Sequence, residues 1–172
     1  MNKTQIKENT QIKKIEKGCN NYKHSYYSHH PKFEKLGNWI EKESTIFKNE
    51  AEHKKMNKPN FKRGEIIKVD FGINLGSELS NTHFAIVLNS DDNNNVDNIT
   101  VLPLTSKPGY KRLLLGNVLA TYGQKYNRNT YALITQITTI SKSKIFKNNN
   151  KIKCDNNTIK YINQEIINFL TK

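Results

Sequence analysis

Between Gly76 and Leu88 the chain reads GSELSNTHFAIVL, a polar, turn-prone run set directly against an apolar, strand-like run with His83 at the junction. Imidazole has an ordinary pKa of about 6.5 and gives or takes a proton near neutrality. A histidine at a strand rim, within reach of a polar loop, is therefore a candidate acid or base. A hydrogen-bonded structural histidine fits the same position, and position alone does not separate the two. The next apolar run ends in Thr105, Ser106 and Lys107 before Pro108 and Gly109 turn the chain. Two hydroxyl donors and an ammonium suit a phosphate, and they equally suit a strand end capped by hydroxyls with a solvated lysine.

Ser77 and Glu78 supply a hydroxyl and a carboxylate shortly before His83. They are candidate substrate contacts, with Glu78 placed either to orient His83 or a basic residue or to tie down its own loop. The three arginines, Arg63, Arg112 and Arg128, all follow the first sixty residues and are candidate phosphate contacts, with surface solvation as the alternative. In NYKHSYYSHHPKF (21–33) three histidines alternate with three tyrosines. Stacking on bases and metal binding are both conceivable there, but no cysteine or carboxylate stands at ligand spacing, so the segment reads as a connector and no metal site is expected.

The elements that position these residues follow from periodicity. In GEIIKVDF (64–71), Ile67, Val69 and Phe71 share one face while Lys68 and Asp70 take the other, as in a half-buried strand. HFAIVL (83–88), ITVLPL (99–104), RLLLGNVLA (112–120) and YALITQITTI (131–140) supply four more strands, with Gly116 marking a bulge or bend. The Asp- and Asn-rich run between the second and third strands suits a hairpin turn. Five short strands on one core predict a small barrel. Asp155 or Asn156 then caps a closing helix that carries Ile159, Ile162, Ile166 and Leu170 on one face.

The first sixty residues differ in kind, holding thirteen Lys, no Arg and seven Glu. Phe33, Leu36, Trp39, Ile40, Phe47 and Ala51 fall near one helical stripe, and Ile6, Ile12 and Ile15 mark a weaker N-terminal helix. KKMNKPN (54–60) reads as a linker because Pro59 biases Lys58 away from helical geometry. The expected division is thus a helical extension and linker over residues 1–58 and a barrel domain over 59–172; the extension reads first as a stabilising helical pair packed on the barrel, with a cover for the binding groove or an additional interaction surface as the alternatives. The Asn runs at 93–95 and 148–150 read as loops.

The 172 residues suffice for one ordinary domain with an appendage. A formal net charge of +13 favours nucleic acid as partner, ahead of an anionic membrane or an acidic protein. Cys19 and Cys154 lie far apart with no CxxC pattern, which points to neither a disulfide framework nor zinc and fits a reduced intracellular protein. With no apolar run near the 18 to 20 residues of a membrane span and a polar start, a cytoplasmic location is expected.

Several ordered blocks resemble the MazF/PemK-type toxins of toxin-antitoxin systems: KRGEIIKVDFG (62–72), GSEL (76–79), HFAIVL, VLPLTSK (101–107) and ALITQITTISKSKI (132–145). The resemblance covers about residues 61–145 and implies the closing helix as part of the same domain. It implies an α+β, mainly β fold: an SH3-like small β-barrel with a C-terminal helix, here carrying an N-terminal helical extension. It further implies a homodimer in the cytoplasm that cleaves single-stranded RNA without metal or other cofactor, by attack of the 2′-hydroxyl, and that is neutralised by a cognate antitoxin, by expectation a protein. The family's catalytic pair is an Arg heading the second strand and a Thr or Ser ending the third. Thr105 matches the latter, while His83 stands where Arg is common. The implied roles are His83 as general acid or base, Thr105 as transition-state stabiliser, and Ser106 and Lys107 as phosphate contacts. The competing class is a non-catalytic RNA- or DNA-binding barrel.

Overall fold

A computed structural model describes residues 3–52, 59–90, 92–93, 95–146 and 152–171; the side chains of residues 3–7 and 51–52, hence those of Ile6 and Ala51, lie outside the described set. Most of the expected linker, its residues 54–58, and the Asn run 148–150 also fall outside it, as do His53 and Asn94. The chain divides into two compact units, Met1–Lys48 and Asn49–Lys172. Among the described residues, no helix is long and apolar enough to cross a membrane.

The N-terminal unit is helical. Helix α1 (Lys3–His24) forms although Ile12 and Ile15 are exposed, in keeping with its weak apolar stripe. Helix α2 (Phe33–Glu52) has the stronger stripe, and Trp39 on it is buried. Phe47, expected on that stripe, is instead 74% exposed. The tyrosine–histidine segment makes the turn between the helices. There Tyr26 contacts Phe33 (ring centroids 5.4 Å apart) and Tyr27 (5.7 Å).

The second unit is a curled antiparallel sheet closed by a helix. Its strands are β1 (Glu65–Asp70), β2 (Thr82–Val87), β3 (Asn98–Thr105), β4 (Arg112–Gly116), β5 (Thr130–Leu133), β6 (Thr138–Ser141) and β7 (Ile152–Lys153), followed by helix α3 (Asn156–Thr171). The main path runs β4-β5-β3-β2-β1-β7, and β6 adds to β3. The architecture is thus α+β, as expected, with a small barrel-like sheet and helices at both ends of the chain.

The expected fifth strand is split in two. β5 pairs with Leu104 and Thr105 at the end of β3, whereas β6 pairs with Asn98–Val101 at its beginning. The residues between, Ile134–Gln136, form a short 3-10 turn, so one edge of β3 is served by two segments in different registers. Continuous apolar character conceals such a break, because a 3-10 turn buries Ile134 as a strand would. Gly116 sits at a register shift with φ of 68°, which confirms the bend there.

β1 is covered on both sides. Ile67, Val69 and Phe71 join one apolar cluster with Ala85, Val87 and Ile99, while Ile66 joins the other with Ile86, Leu102 and Ile162. Helix α3 begins with Asp155 as its cap: Oδ1 accepts from the amides of Asn157 and Thr158 (both 2.9 Å), and Oδ2 from the Thr158 hydroxyl (2.6 Å). These bonds, that from the Thr158 hydroxyl first, hold the Asp155 carboxyl below its ordinary pKa. Ile162 is fully buried and Ile159 and Ile166 pack beside it, but Phe169 takes the place expected for Leu170, which is 71% exposed. Steps of four residues advance 40° beyond a full turn, so the stripe moves back to a three-residue step at the helix end.

Candidate functional site

The β1–β2 hairpin and the end of β3 create the site. β2 and β3 pair Ala85 with Pro103, and the same register carried two residues toward the rim sets His83 across from Thr105. Both line a cleft of about 290 Å³, together with Ser106 and Lys107. With Arg128, which lines the same cleft, five of the residues expected to do chemistry thus meet in one place.

His83 is half-buried and held at both nitrogens. Its Nδ1 lies 3.2 Å from the Leu104 carbonyl oxygen, and its Nε2 lies 3.1 Å from that of Ser80. Carbonyls only accept, so the neutral ring donates to one of them and the doubly protonated ring donates to both. The orienting acceptors are therefore backbone oxygens rather than the Glu78 carboxylate. Phe71 packs edge-on to the imidazole at 6.4 Å between centroids. The Ser80 side of this arrangement is braced within its own loop, where the Ser80 hydroxyl accepts from the Asn74 amide (2.9 Å). The Asn74 side chain in turn donates to the carbonyls of Phe71 and Leu79.

Thr105 ends β3 with its hydroxyl accepting from the Lys107 amide at 3.3 Å, which shapes the turn that presents Ser106 and Lys107. β5 flanks this end, with Tyr131 paired to Thr105 and buried Thr130 on the cleft wall.

The remaining expected contacts lie elsewhere. Ser77 and Glu78 are exposed in the β1–β2 loop and do not line the cleft. Arg63 sits at the opposite end of the β1–β2 hairpin, its guanidinium donating to the Leu88 carbonyl and to Asn163 Oδ1, so it fastens α3 to the sheet. Arg112 donates from Nη1 to the carbonyls of Lys107 (2.8 Å) and Pro108 (3.2 Å), bracing the β3–β4 turn from outside the cleft.

Of the other cleft residues, only Arg128 was a candidate phosphate contact on sequence; Lys68, Phe84 and Tyr126 were not singled out. Lys68 reaches the cleft from β1, and its ammonium also lies 5.1 Å from the Phe146 ring centroid. Phe84 and Tyr126 form an apolar wall, edge to face at 5.2 Å. Tyr122 packs on Phe84 at 4.6 Å, donates its hydroxyl to the Ile66 carbonyl (2.8 Å), and has its pKa pushed up to about 12 by burial. Arg128 joins from the segment entering β5. The sequence held one usable signal for this wall: Phe84 and Lys68 alternate with core residues on two strands that pair Lys68 with Phe84. The contributions of Tyr126 and Arg128 depend on a loop with no periodicity. The cleft thus joins a hydroxyl and a histidine on facing strands with three cations and an aromatic wall.

A family model described as PemK-like, MazF-like toxin of type II toxin-antitoxin system matches residues 62–170. Among solved structures, MazF (Form-I) from Deinococcus radiodurans aligns at 15% identity with a TM-score of 0.51, over 66% of this chain and 99% of that one. An endoribonuclease from a mycobacterial species, in complex with its cognate antitoxin, aligns at 16% identity with a TM-score of 0.43, over 67% of this chain and 96% of that one. Another mycobacterial endoribonuclease aligns at 12% identity with a TM-score of 0.45 and the same coverage. The first likeness supports the fold, and the two weaker superpositions add nothing to it. No curated protein sequence matches the chain.

Proposed function

Because the chain belongs to the PemK-like, MazF-like family of toxins of type II toxin-antitoxin systems, we propose that it is an endoribonuclease toxin whose cleft cuts single-stranded RNA. The observation that carries this reading is the placement of His83 and Thr105 on facing strands in one cation-lined cleft. RNA brings its own nucleophile. Attack of the 2′-oxygen on the adjacent phosphorus forms one O–P bond as the bond to the 5′-oxygen breaks, giving a cyclic phosphate and a 5′-hydroxyl. The proton lost at the 2′-oxygen equals the one gained at the 5′-oxygen.

In this reading His83 handles the proton through Nε2, while Nδ1 stays anchored on the Leu104 carbonyl. Nε2 leaves the Ser80 carbonyl for a substrate hydroxyl. Thr105 donates toward the crowded phosphate oxygens, and Ser106 and Lys107 hold that phosphate. Since the nucleophile is internal, no metal-activated water is required. The reading includes a homodimer in the cytoplasm and a cognate protein antitoxin as partner.

The experiment is incubation of the purified protein with mixed RNA in EDTA, followed by mapping of every new end. Defined cuts bearing cyclic phosphate and 5′-hydroxyl termini are expected. Tight RNA binding with no new ends would replace the enzyme by a non-catalytic binding barrel.

A further inference from the structure

The proposed reaction concentrates negative charge on the nonbridging oxygens of one phosphate, and a guanidinium matches two such oxygens at once. The chain has three arginines. Arg63 is committed to the Leu88 carbonyl and Asn163, and Arg112 to the carbonyls of Lys107 and Pro108. Arg128 differs on both counts that matter: it lines the cleft, and its guanidinium meets no acceptor among the described residues.

Its backbone is nevertheless fixed. The Arg128 amide donates to the Tyr126 carbonyl (2.8 Å), and the hydroxyl of buried Thr130 donates to the Arg128 carbonyl (3.4 Å). Tyr126 is in turn packed against Phe84. The β3–β5 register pairs Tyr131 with Thr105, so the residues just before β5 extend past the end of β3 that carries Ser106 and Lys107. The anchored backbone holds the residue at the cleft, and the uncommitted guanidinium leaves its donor fork available to a phosphate.

Resting on the reading of the cleft as a ribonuclease site, we propose that Arg128 is a catalytic residue: it binds the nonbridging oxygens of the phosphate under attack and stabilises the five-coordinate transition state. Charge and proton are then handled by separate residues, Arg128 for the charge and His83 for the proton. A ring already facing two carbonyls is poorly placed to serve as the phosphate's cation.

The test uses the full chain, with wild type, Arg128→Met and Arg128→Lys compared in single-turnover cleavage at saturating protein. Binding is measured on the same RNA with a 2′-deoxy sugar at the mapped cut. Arg128→Met is expected to slow cleavage by about 10²- to 10³-fold, as loss of an oxyanion donor does, with a much smaller change in binding and partial rescue by added guanidinium. Arg128→Lys keeps the charge without the fork and is expected to fall about tenfold below wild type. Either variant cleaving at the wild-type rate overturns the proposal while leaving the ribonuclease reading intact, as does a Met variant that loses affinity alone. A wild type that cuts no RNA removes the reading and the proposal together.

Discussion

His83 has a structural and a chemical role that substitution separates. Its two nitrogens face two backbone carbonyls, at 3.2 Å and 3.1 Å. Asparagine places an amide nitrogen near the Nδ1 position and keeps a donor toward Leu104, while glutamine reaches toward the Nε2 position and keeps one toward Ser80. Each variant keeps a donor toward one carbonyl, so it loses at most one hydrogen bond, and it removes all proton-transfer capacity. A hydrogen bond contributes about 1 kcal/mol net, and for a chain of this length 1 kcal/mol moves the melting temperature by about 3 °C. Loss of a general acid or base costs about 10²- to 10⁴-fold in rate. His83→Asn is therefore expected to unfold only a few degrees below wild type, to cleave RNA at least about a hundredfold more slowly, and to lose the limb of the pH–rate profile that reports imidazole. The assays are calorimetry and single-turnover cleavage between pH 5 and 9 in EDTA. A variant that melts as expected yet cleaves at the wild-type rate, or keeps that limb, would confine His83 to tying β2 to β3.

Two further outcomes concern stability. Lys142 and Asp92 form an ion pair at 2.6 Å with both side chains fully buried; Asp92 Oδ2 accepts from the Phe61 amide, and among the described residues Oδ1 has no hydrogen bond of its own to offset the loss of Lys142. Lys142→Met is expected to cost about 3–5 kcal/mol in urea unfolding, and adding Asp92→Asn to recover at least half of it; a single-variant cost below about 1 kcal/mol would refute the pair's importance. Burial pushes the Cys154 thiol from 9.0 up to about 11, whereas Cys19 is exposed. Native protein at pH 8 is therefore expected to titrate one thiol quickly and the second only on denaturation. Because the folded value is raised, the contribution of Cys154 to stability is complete below pH 9 and is lost as pH climbs through 11, a decline that Cys154→Ala should flatten.

The chemistry-bearing strands were legible in the sequence because the pattern of apolar and polar residues is a local signal. Alternation located β1, and two short continuous apolar runs bounded by turn residues located β2 and β3 and thereby His83 and Thr105. Asp155 was readable as a cap because capping depends on side-chain type at one local position. β7 was not legible, since two residues that pair with Glu65 and Ile66 have no period to read. Nor was the break between β5 and β6, where apolar residues continue through the 3-10 turn.

The three arginines show where local information ends. Sequence marks all of them as equivalent cations, because charge is a property of the residue. Which is free to meet a phosphate depends on carbonyls and amides distant in the chain: Leu88 and Asn163 engage Arg63, the turn carbonyls engage Arg112, and the register of β5 against β3 brings Arg128 to the cleft. The sequence by itself determined the period of the strands, the basic character and the family to which the chain belongs. Only the tertiary structure decided which arginine stands uncommitted, among the described residues, in the cleft that Thr105 also lines, since hydrogen-bond partners are chosen in space and not along the chain.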